Sequence, residues 1–297
     1  MTREFDLQGH RGARGLFPEN TIEGFLATRA LGVDSVELDV AVTEDGVAVV
    51  SHDPVLDPEL TRGPDGTWIE GKPRVIREMR WAELAGYDVG RIRPGSRLAA
   101  RFPDQAAHDG ARMPTLDTVF RTLPGLRIHA EIKTLPDRPD LTVTPEAMAE
   151  AIVAAAEAAE ALDRLVVRSF DWRGLAFLGR TRPEIPLVWL TSATEAARPE
   201  LWWGMAGYAG SVPAAVAAAA GTPRGWRPGW APRHDMLTKA TLDEAHGLGL
   251  QVMPWTVDDA GDIARLIDWG VDGLCTDRPD VARAVMRAAG LALPPSG

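Results

Sequence analysis

Short apolar segments of strand length recur along this 297-residue chain, and most are separated from the next by a segment of helical periodicity. No other feature limits the fold as strongly. A helix between two strands carries the chain back to its starting edge, so the strands pair in parallel and the sheet is covered by helices. The alternation predicts strands near residues 5, 36, 47, 127, 166, 187, 252 and 272. Residues 55 to about 113 break the pattern, being rich in Pro, Gly, Arg and Asp. With that stretch set aside, about eight units in roughly 240 residues fit a closed (β/α)8 TIM barrel with a small insertion after the third strand. The expected organisation is one domain over residues 1–297. Its insertion gathers Leu56, Trp68, Ile69, Ile76, Met79, Trp81, Leu84 and Tyr87 into a satellite cluster. A Rossmann fold is the alternative, but His10-Arg11-Gly12-Ala13-Arg14-Gly15 lacks the first glycine of its fingerprint.

A net charge of -10 argues against non-specific binding to nucleic acid or anionic membranes. The one cysteine, Cys275, rules out an internal disulfide and reads as a small buried residue of an apolar strand. Met1 to Asp6 is charged and lacks an apolar leader region, and no apolar run reaches the roughly 20 residues of a membrane helix. The expectation is a soluble, cytoplasmic protein without stable membrane insertion, acting on a small molecule.

The strand Ser35 to Val40 carries the first chemical signal. Strand alternation puts Val36, Leu38 and Val40 on one face, and Glu37 and Asp39 on the other, roughly 7 Å apart along the strand. Two carboxylates on one strand face need positive charge between them, or else water. A divalent cation held through oxygen is one solution.

Other polar groups fall where strands end. His10 and Arg11 follow the first strand, His52 and Asp53 the third, and Glu131 and Lys133 the fourth; Arg168 lies on the fifth strand and Trp255 on the seventh of those predicted. Each alone also suits a turn or an ordinary basic loop. In a barrel these ends converge on one face, where catalytic groups sit. Glu37, Asp39 and Glu131 make a hard oxygen site for Mg²⁺ or Ca²⁺. Arg11 and Lys133 suit a substrate anion, and two histidines can serve as general acid and base at a phosphorus centre. The inventory describes a phosphodiester-cleaving site. Four tryptophans at 202, 203, 226 and 230 lie among glycines and prolines in a stretch of unclear structure, 194–233. They pack long loops or line an apolar groove.

The chain also resembles the glycerophosphodiester phosphodiesterase family over nearly its whole length. The motifs are His10-Arg11-Gly12 with Pro18-Glu19-Asn20-Thr21, Glu37-Leu38-Asp39-Val40, His52-Asp53, Met113-Pro114-Thr115-Leu116, Glu131-Ile132-Lys133, Ser169-Phe170, Trp255-Thr256-Val257, and Val271-Asp272-Gly273 with Thr276-Asp277-Arg278-Pro279. The resemblance implies a (β/α)8 barrel, His10 and His52 as the acid/base pair, and Glu37, Asp39 and Glu131 as metal ligands. It implies phosphate contacts from Arg11 and Lys133, and Trp255 lining the alcohol pocket. The implied reaction releases glycerol 3-phosphate and an alcohol, by attack of water or of the substrate's own hydroxyl through a cyclic phosphate. A lysophospholipase D-type activity and a non-catalytic phosphodiester-binding protein are the alternatives. Three positions depart from the family pattern: Asp258, Arg168 and His129. Arg168 is expected to contact a second anionic group of the substrate, or to form a local ion pair, for example with Asp258.

Overall fold

The computed structural model describes residues 5–206, 208–221 and 225–296. Nine strands occur among them: Asp6–His10 (β1), Ser35–Val42 (β2), Ala48–Val50 (β3), Arg127–Ile132 (β4), Leu165–Ser169 (β5), Leu187–Thr191 (β6), Gly229–Pro232 (β7), Gln251–Val252 (β8) and Gly273–Thr276 (β9). Eight follow one another around the sheet in the order β8-β7-β6-β5-β4-β2-β1-β9, every neighbouring pair parallel. The seam between β8 and β9 is closed by backbone bonds. Asp272 N donates to Val252 O (2.9 Å), Cys275 N to Pro254 O (3.0 Å), and Val257 N to Cys275 O (3.0 Å). The strand expected near 252 is a two-residue ladder on β7, beyond which Met253 N and Trp255 N still donate to Trp230 O (2.9 Å) and Pro232 O (3.1 Å). The result is a nearly closed eight-stranded parallel barrel with helices outside.

Two strands differ from expectation. The segment after Asp45-Gly46 is not a barrel strand: β3 runs antiparallel to β2, with Val40 opposite Val50 and Val42 opposite Ala48. Only five residues separate β2 from β3, too few for the crossover that parallel pairing needs. The eighth barrel strand is instead β7, in the stretch the sequence left unread. Its Gly229 and Pro232 look like loop residues, and only Trp230 and Ala231 lie between them. The long stretch that follows β3 thus leaves the barrel between its second and third staves.

The two faces of the staves differ in kind. Val36, Leu38, Val40, Ile128, Ala130, Ile132 and Val167 point outward into the main core, against Phe25, Phe120, Ile152, Leu175 and Leu266 of the surrounding helices. The first helix, Ile22–Leu31, starts at Thr21, whose Oγ1 accepts from Gly24 N (3.0 Å). Phe25 of this helix is buried, whereas Leu26 is 42% exposed. Beyond β3, Leu56, Ile69, Ile76, Met79, Leu84 and Tyr87 form a second cluster with Val49 and Met113, and Trp81 packs on it. Trp68 stands apart from it, with Arg62 and Arg93 over its ring. Near the end of the chain Pro294 is buried and its carbonyl accepts from Arg283 Nη1 (2.7 Å).

The tryptophans of the unread stretch pack. Trp202, Trp203 and Trp230 are buried, and Trp203 stacks on Trp172 with centroids 4.4 Å apart. Trp230 Nε1 donates to Thr191 Oγ1 (2.9 Å), and Trp226 Nε1 to Pro183 O (3.2 Å). Residues 207 and 222–224 of that stretch lie outside the described residues. Trp203→Ala should destabilise the protein by about 3 kcal/mol through the cavity it leaves, with little loss of activity. A urea unfolding curve beside an activity assay checks both.

Candidate active site

The barrel interior is divided. One half is apolar: Val166, Val188, Leu190, Ala231 and Met253, with Phe170 and Trp255 packed against them. The other half holds buried Asp6, Gln8, His10, Ser35, Glu37, Asp39, His129, Glu131 and Arg168. The register explains this gathering. His10 pairs with Glu37, Asp39 with Glu131, and Glu131 with Arg168, so inward side chains of adjacent strands meet side by side.

Glu37, Asp39 and Glu131 each place a carboxylate oxygen within 4.8 Å of the others, all buried. That span fits oxygens arranged about one Mg²⁺ or Ca²⁺, whose bonds run about 2.0–2.6 Å. The electrostatics point the same way. Burial, reinforced by Asp39, pushes Glu37 up to about 8. Asp39 is held well below the usual carboxylate range, burial being outweighed by Lys133 and Arg11. Lys133 Nζ lies 3.1 Å from Asp39 Oδ1 and 3.0 Å from Glu131 Oε1, while Arg11 Nε lies 3.2 Å from Asp39 Oδ2. Asn20 Nδ2 donates to Asp39 Oδ2 (3.2 Å).

The loop after β1 is strained to serve this centre. Arg11, Gly12 and Ala13 have φ of 51°, 73° and 56°, and Asn20 has 56°. For non-glycine residues such geometry costs about 1–3 kcal/mol each and must be imposed by its surroundings. It turns Arg11 N toward Glu37 Oε2 (3.3 Å) and lets Arg14 N reach His10 O (3.2 Å). Gly12 is required: a Cβ there would sit 2.8 Å from the Phe25 ring.

The two histidines are braced alike. His10 Nδ1 lies 2.6 Å from Asp277 Oδ1, leaving Nε2, which is 3.7 Å from Glu37 Oε2. Burial lowers its pKa to about 4, although Asp277 opposes the shift, so His10 is neutral at pH 7. His52 Nδ1 lies 2.7 Å from Asp53 Oδ1. It reaches the centre because β3 folds back along β2, fixed by Ser51 N donating to Asp39 O (3.0 Å). His10, Arg11, Glu37, His52, Glu131, Lys133, Arg168 and Trp255 all line one cleft of about 460 Å³. Trp255 Nε1 donates to Ala231 O (2.8 Å), and its ring meets Phe170 edge to face at 5.3 Å.

Several contributors carried no role in the sequence reading. Asp277 grips His10 and also Arg14 Nε (3.0 Å); Glu19 takes Arg11 Nη1 (3.0 Å). Asp277 stands directly after β9, at the end of a stave where site residues gather, and that position was its signal. The ion pair between Arg168 and Asp258 is not formed. Asp258 Oδ1 instead accepts from Asp277 N (2.7 Å) and Thr276 Oγ1 (3.1 Å), while Arg168 Nη1 donates to Gln8 Oε1 (3.2 Å). His129 faces Asp6, with Nε2 3.4 Å from Oδ2. Cys275 is buried and burial raises its thiol pKa, as suits a packing residue. No helix among the described residues is long and apolar enough to cross a membrane.

A sequence profile of the glycerophosphoryl diester phosphodiesterase family matches residues 10–281. The glycerophosphodiester phosphodiesterase of Bacillus subtilis (strain 168) is 27% identical over 289 residues, covering 94% of this chain and 85% of that protein. A Silicibacter pomeroyi DSS-3 structure assigned to the glycerophosphoryl diester phosphodiesterases is 34% identical with a TM-score of 0.88, covering 98% of this chain and 95% of that one. An Oleispira antarctica phosphodiesterase, solved in complex with the product sn-glycerol-3-phosphate, shares the fold at a TM-score of 0.68 and 20% identity, covering 95% and 96% of the two chains.

The shift of Glu37 has a measurable sign. Its pKa is 4.5 ordinarily and about 8 here, so the unfolded chain gives up this proton first. Cation-free stability therefore falls as pH rises from about 4.5 to 8. Glu37→Gln should stabilise the chelated protein near pH 8 by ~2 kcal/mol, and a divalent cation seated on the three carboxylates should stabilise the parent but not the variant. Thermal unfolding with and without chelator, near pH 5 and near pH 8, reads both effects.

Proposed function

Because this chain belongs to the glycerophosphoryl diester phosphodiesterase family, we propose that it hydrolyses glycerophosphodiesters to an alcohol and glycerol 3-phosphate, as a single barrel domain over residues 1–297 whose insertion, about 55–113, walls one side of the site. One observation supports this above the rest. Two carboxylate-braced histidines open on the same cleft as Glu37 and Glu131, two members of a buried cluster of three carboxylates. The product named for the Oleispira antarctica neighbour is the one this reading predicts.

Glu37, Asp39 and Glu131 would hold the divalent cation, Mg²⁺ or Ca²⁺. Bound there, it would polarise a phosphoryl oxygen and offset developing negative charge. Arg11 and Lys133 stand beside the same carboxylates and are placed to contact the phosphate. Each is held by acidic partners: Arg11 by Glu19 and Asp39, Lys133 by Glu131 and Asp39. His10 and His52 share the proton transfers. In each the carboxylate at Nδ1 fixes the ring and leaves Nε2 for exchange with substrate. His10, neutral at pH 7, can accept a proton there. His52, with its side chain 31% exposed, can also exchange protons with water. Trp255 and Phe170 form the apolar wall for the alcohol arm.

Lysophospholipase D-type cleavage has less support, because the tryptophans that could have lined an acyl groove are buried in the core or tied to backbone. Direct attack by water and attack by the substrate's own hydroxyl use the same two histidines. A cyclic glycerophosphate accumulating during turnover identifies the second route.

His10→Ala and His52→Ala should each lower kcat/KM by at least about 10²-fold with the fold retained by circular dichroism. Undiminished turnover in both overturns the mechanism. Chelation should abolish release of glycerol 3-phosphate from a panel of glycerophosphodiesters, and Mg²⁺ or Ca²⁺ should restore it. Full activity in chelator removes the metal from the reading.

A further inference from the structure

Arg168 is the one departure from the family pattern that enters the cleft, and its bonding is incomplete. The residue is 1% exposed and stands on β5 beside Glu131. Nη1 donates to Gln8 and the guanidinium interacts with the Cys275 thiol and with Glu37, but Nε and Nη2 are buried without a hydrogen-bond partner. Those two atoms form one edge of the guanidinium, the fork that grips two oxygens at once. Elsewhere in the protein the same edge is used in that way. Arg91 holds Asp109 (2.8 and 2.7 Å), Arg173 holds Asp171 (2.8 and 2.6 Å) and Arg278 holds Asp280 (3.0 and 2.8 Å). A buried N–H without an acceptor loses its bond to water and gains nothing in return, so an idle fork is costly.

The surroundings define the missing acceptor. Arg168 shares the cleft with Lys133, Arg101 and Arg233, and with the apolar wall of Phe170 and Trp255. A cationic alcohol such as choline would face these positive groups. It would find two aromatic rings set edge to face, one already carrying Lys133 Nζ at 6.0 Å from its centre. An aromatic cage for a quaternary ammonium needs open ring faces. Lys133 and Arg233 already pair with Glu131 and Asp235 of the same cleft, so the fork itself singles out an anion: a group with two anionic oxygens would take both of its N–H donors.

We propose that Arg168 is a specificity residue that binds an oxyanion, carboxylate or phosphate, on the alcohol arm of the diester. The enzyme would then select glycerophosphodiesters whose second alcohol is itself anionic. The inference rests on the phosphodiesterase reading, and its test separates the two.

Three substrates differ only in the alcohol arm: sn-glycero-3-phosphoglycerol, the same compound phosphorylated on its terminal hydroxyl, and sn-glycero-3-phosphocholine. The parent enzyme should favour the phosphorylated arm in kcat/KM by at least about tenfold over the neutral one, and by more over choline. Arg168→Gln should collapse the ratio of phosphorylated to neutral substrate toward one. Arg168→Lys, which keeps the charge and loses the fork, should fall between. Calorimetric affinities for the same compounds on chelated protein read the preference without turnover. Absence of turnover on all three would fail the phosphodiesterase reading, while the affinities still decide the role of Arg168. A parent enzyme that shows no preference for the phosphorylated arm in rate or affinity overturns the proposal, whether or not Arg168→Gln folds. So does a folded Arg168→Gln with an unchanged ratio, which would make Arg168 an internal counter-charge to Glu37.

Discussion

Like charge buried inside a barrel is the constraint to which much of this structure answers. Glu37, Asp39 and Glu131 lie buried within 4.8 Å of one another. A carboxylate removed from water either finds a counter-charge or gives up its charge. Both outcomes are visible on one strand. Asp39 is flanked by Lys133 and Arg11 and stays ionised, whereas Glu37 is pushed toward its neutral form. The strained loop after β1 is the backbone's share of the same compromise, since it brings an amide and a guanidinium to these acids.

The acids around the cations form a second ring. Glu19 holds Arg11, and Asp277 holds both Arg14 and His10. Asp258, one strand end away, secures the backbone of Asp277. Positioning therefore passes outward in alternating sign, from carboxylate to cation to carboxylate to backbone amide. Each group is fixed by a neighbour that is itself fixed, which is how a site holds long polar side chains in one geometry. The fork of Arg168 stands outside this chain of bonds, with no hydrogen-bond partner of its own.

Much of this was legible in the chain. The period-two pattern of Ser35–Val40 sorted Glu37 and Asp39 from Val36, Leu38 and Val40, and the register carried Glu131 to Asp39. Periodicity worked there because the strand has one polar and one apolar face. It failed at β7, which is four residues long and bounded by glycine and proline, and it over-counted at β3, whose apolar residues serve a hairpin. Loop length was the overlooked evidence, because five residues cannot cross a barrel. The tryptophans between 202 and 230 were ambiguous for another reason. Composition says what such rings can do, but only the stacking on Trp172 says what these do. Asp277 and Glu19 were present in recognised motifs, yet their partners lie far away in sequence, and no local pattern assigns such a pairing.

The ladders around the barrel are unequal. β2 and β4 share six paired positions on the polar side, whereas β8 pairs with β7 at only two and meets β9 through single backbone bonds. The wall is thus most fully paired where the buried acids stand and least paired beside Trp255 and its apolar neighbours. The charged and apolar halves of the interior therefore differ in backbone pairing as well as in side chains, on opposite sides of one sheet.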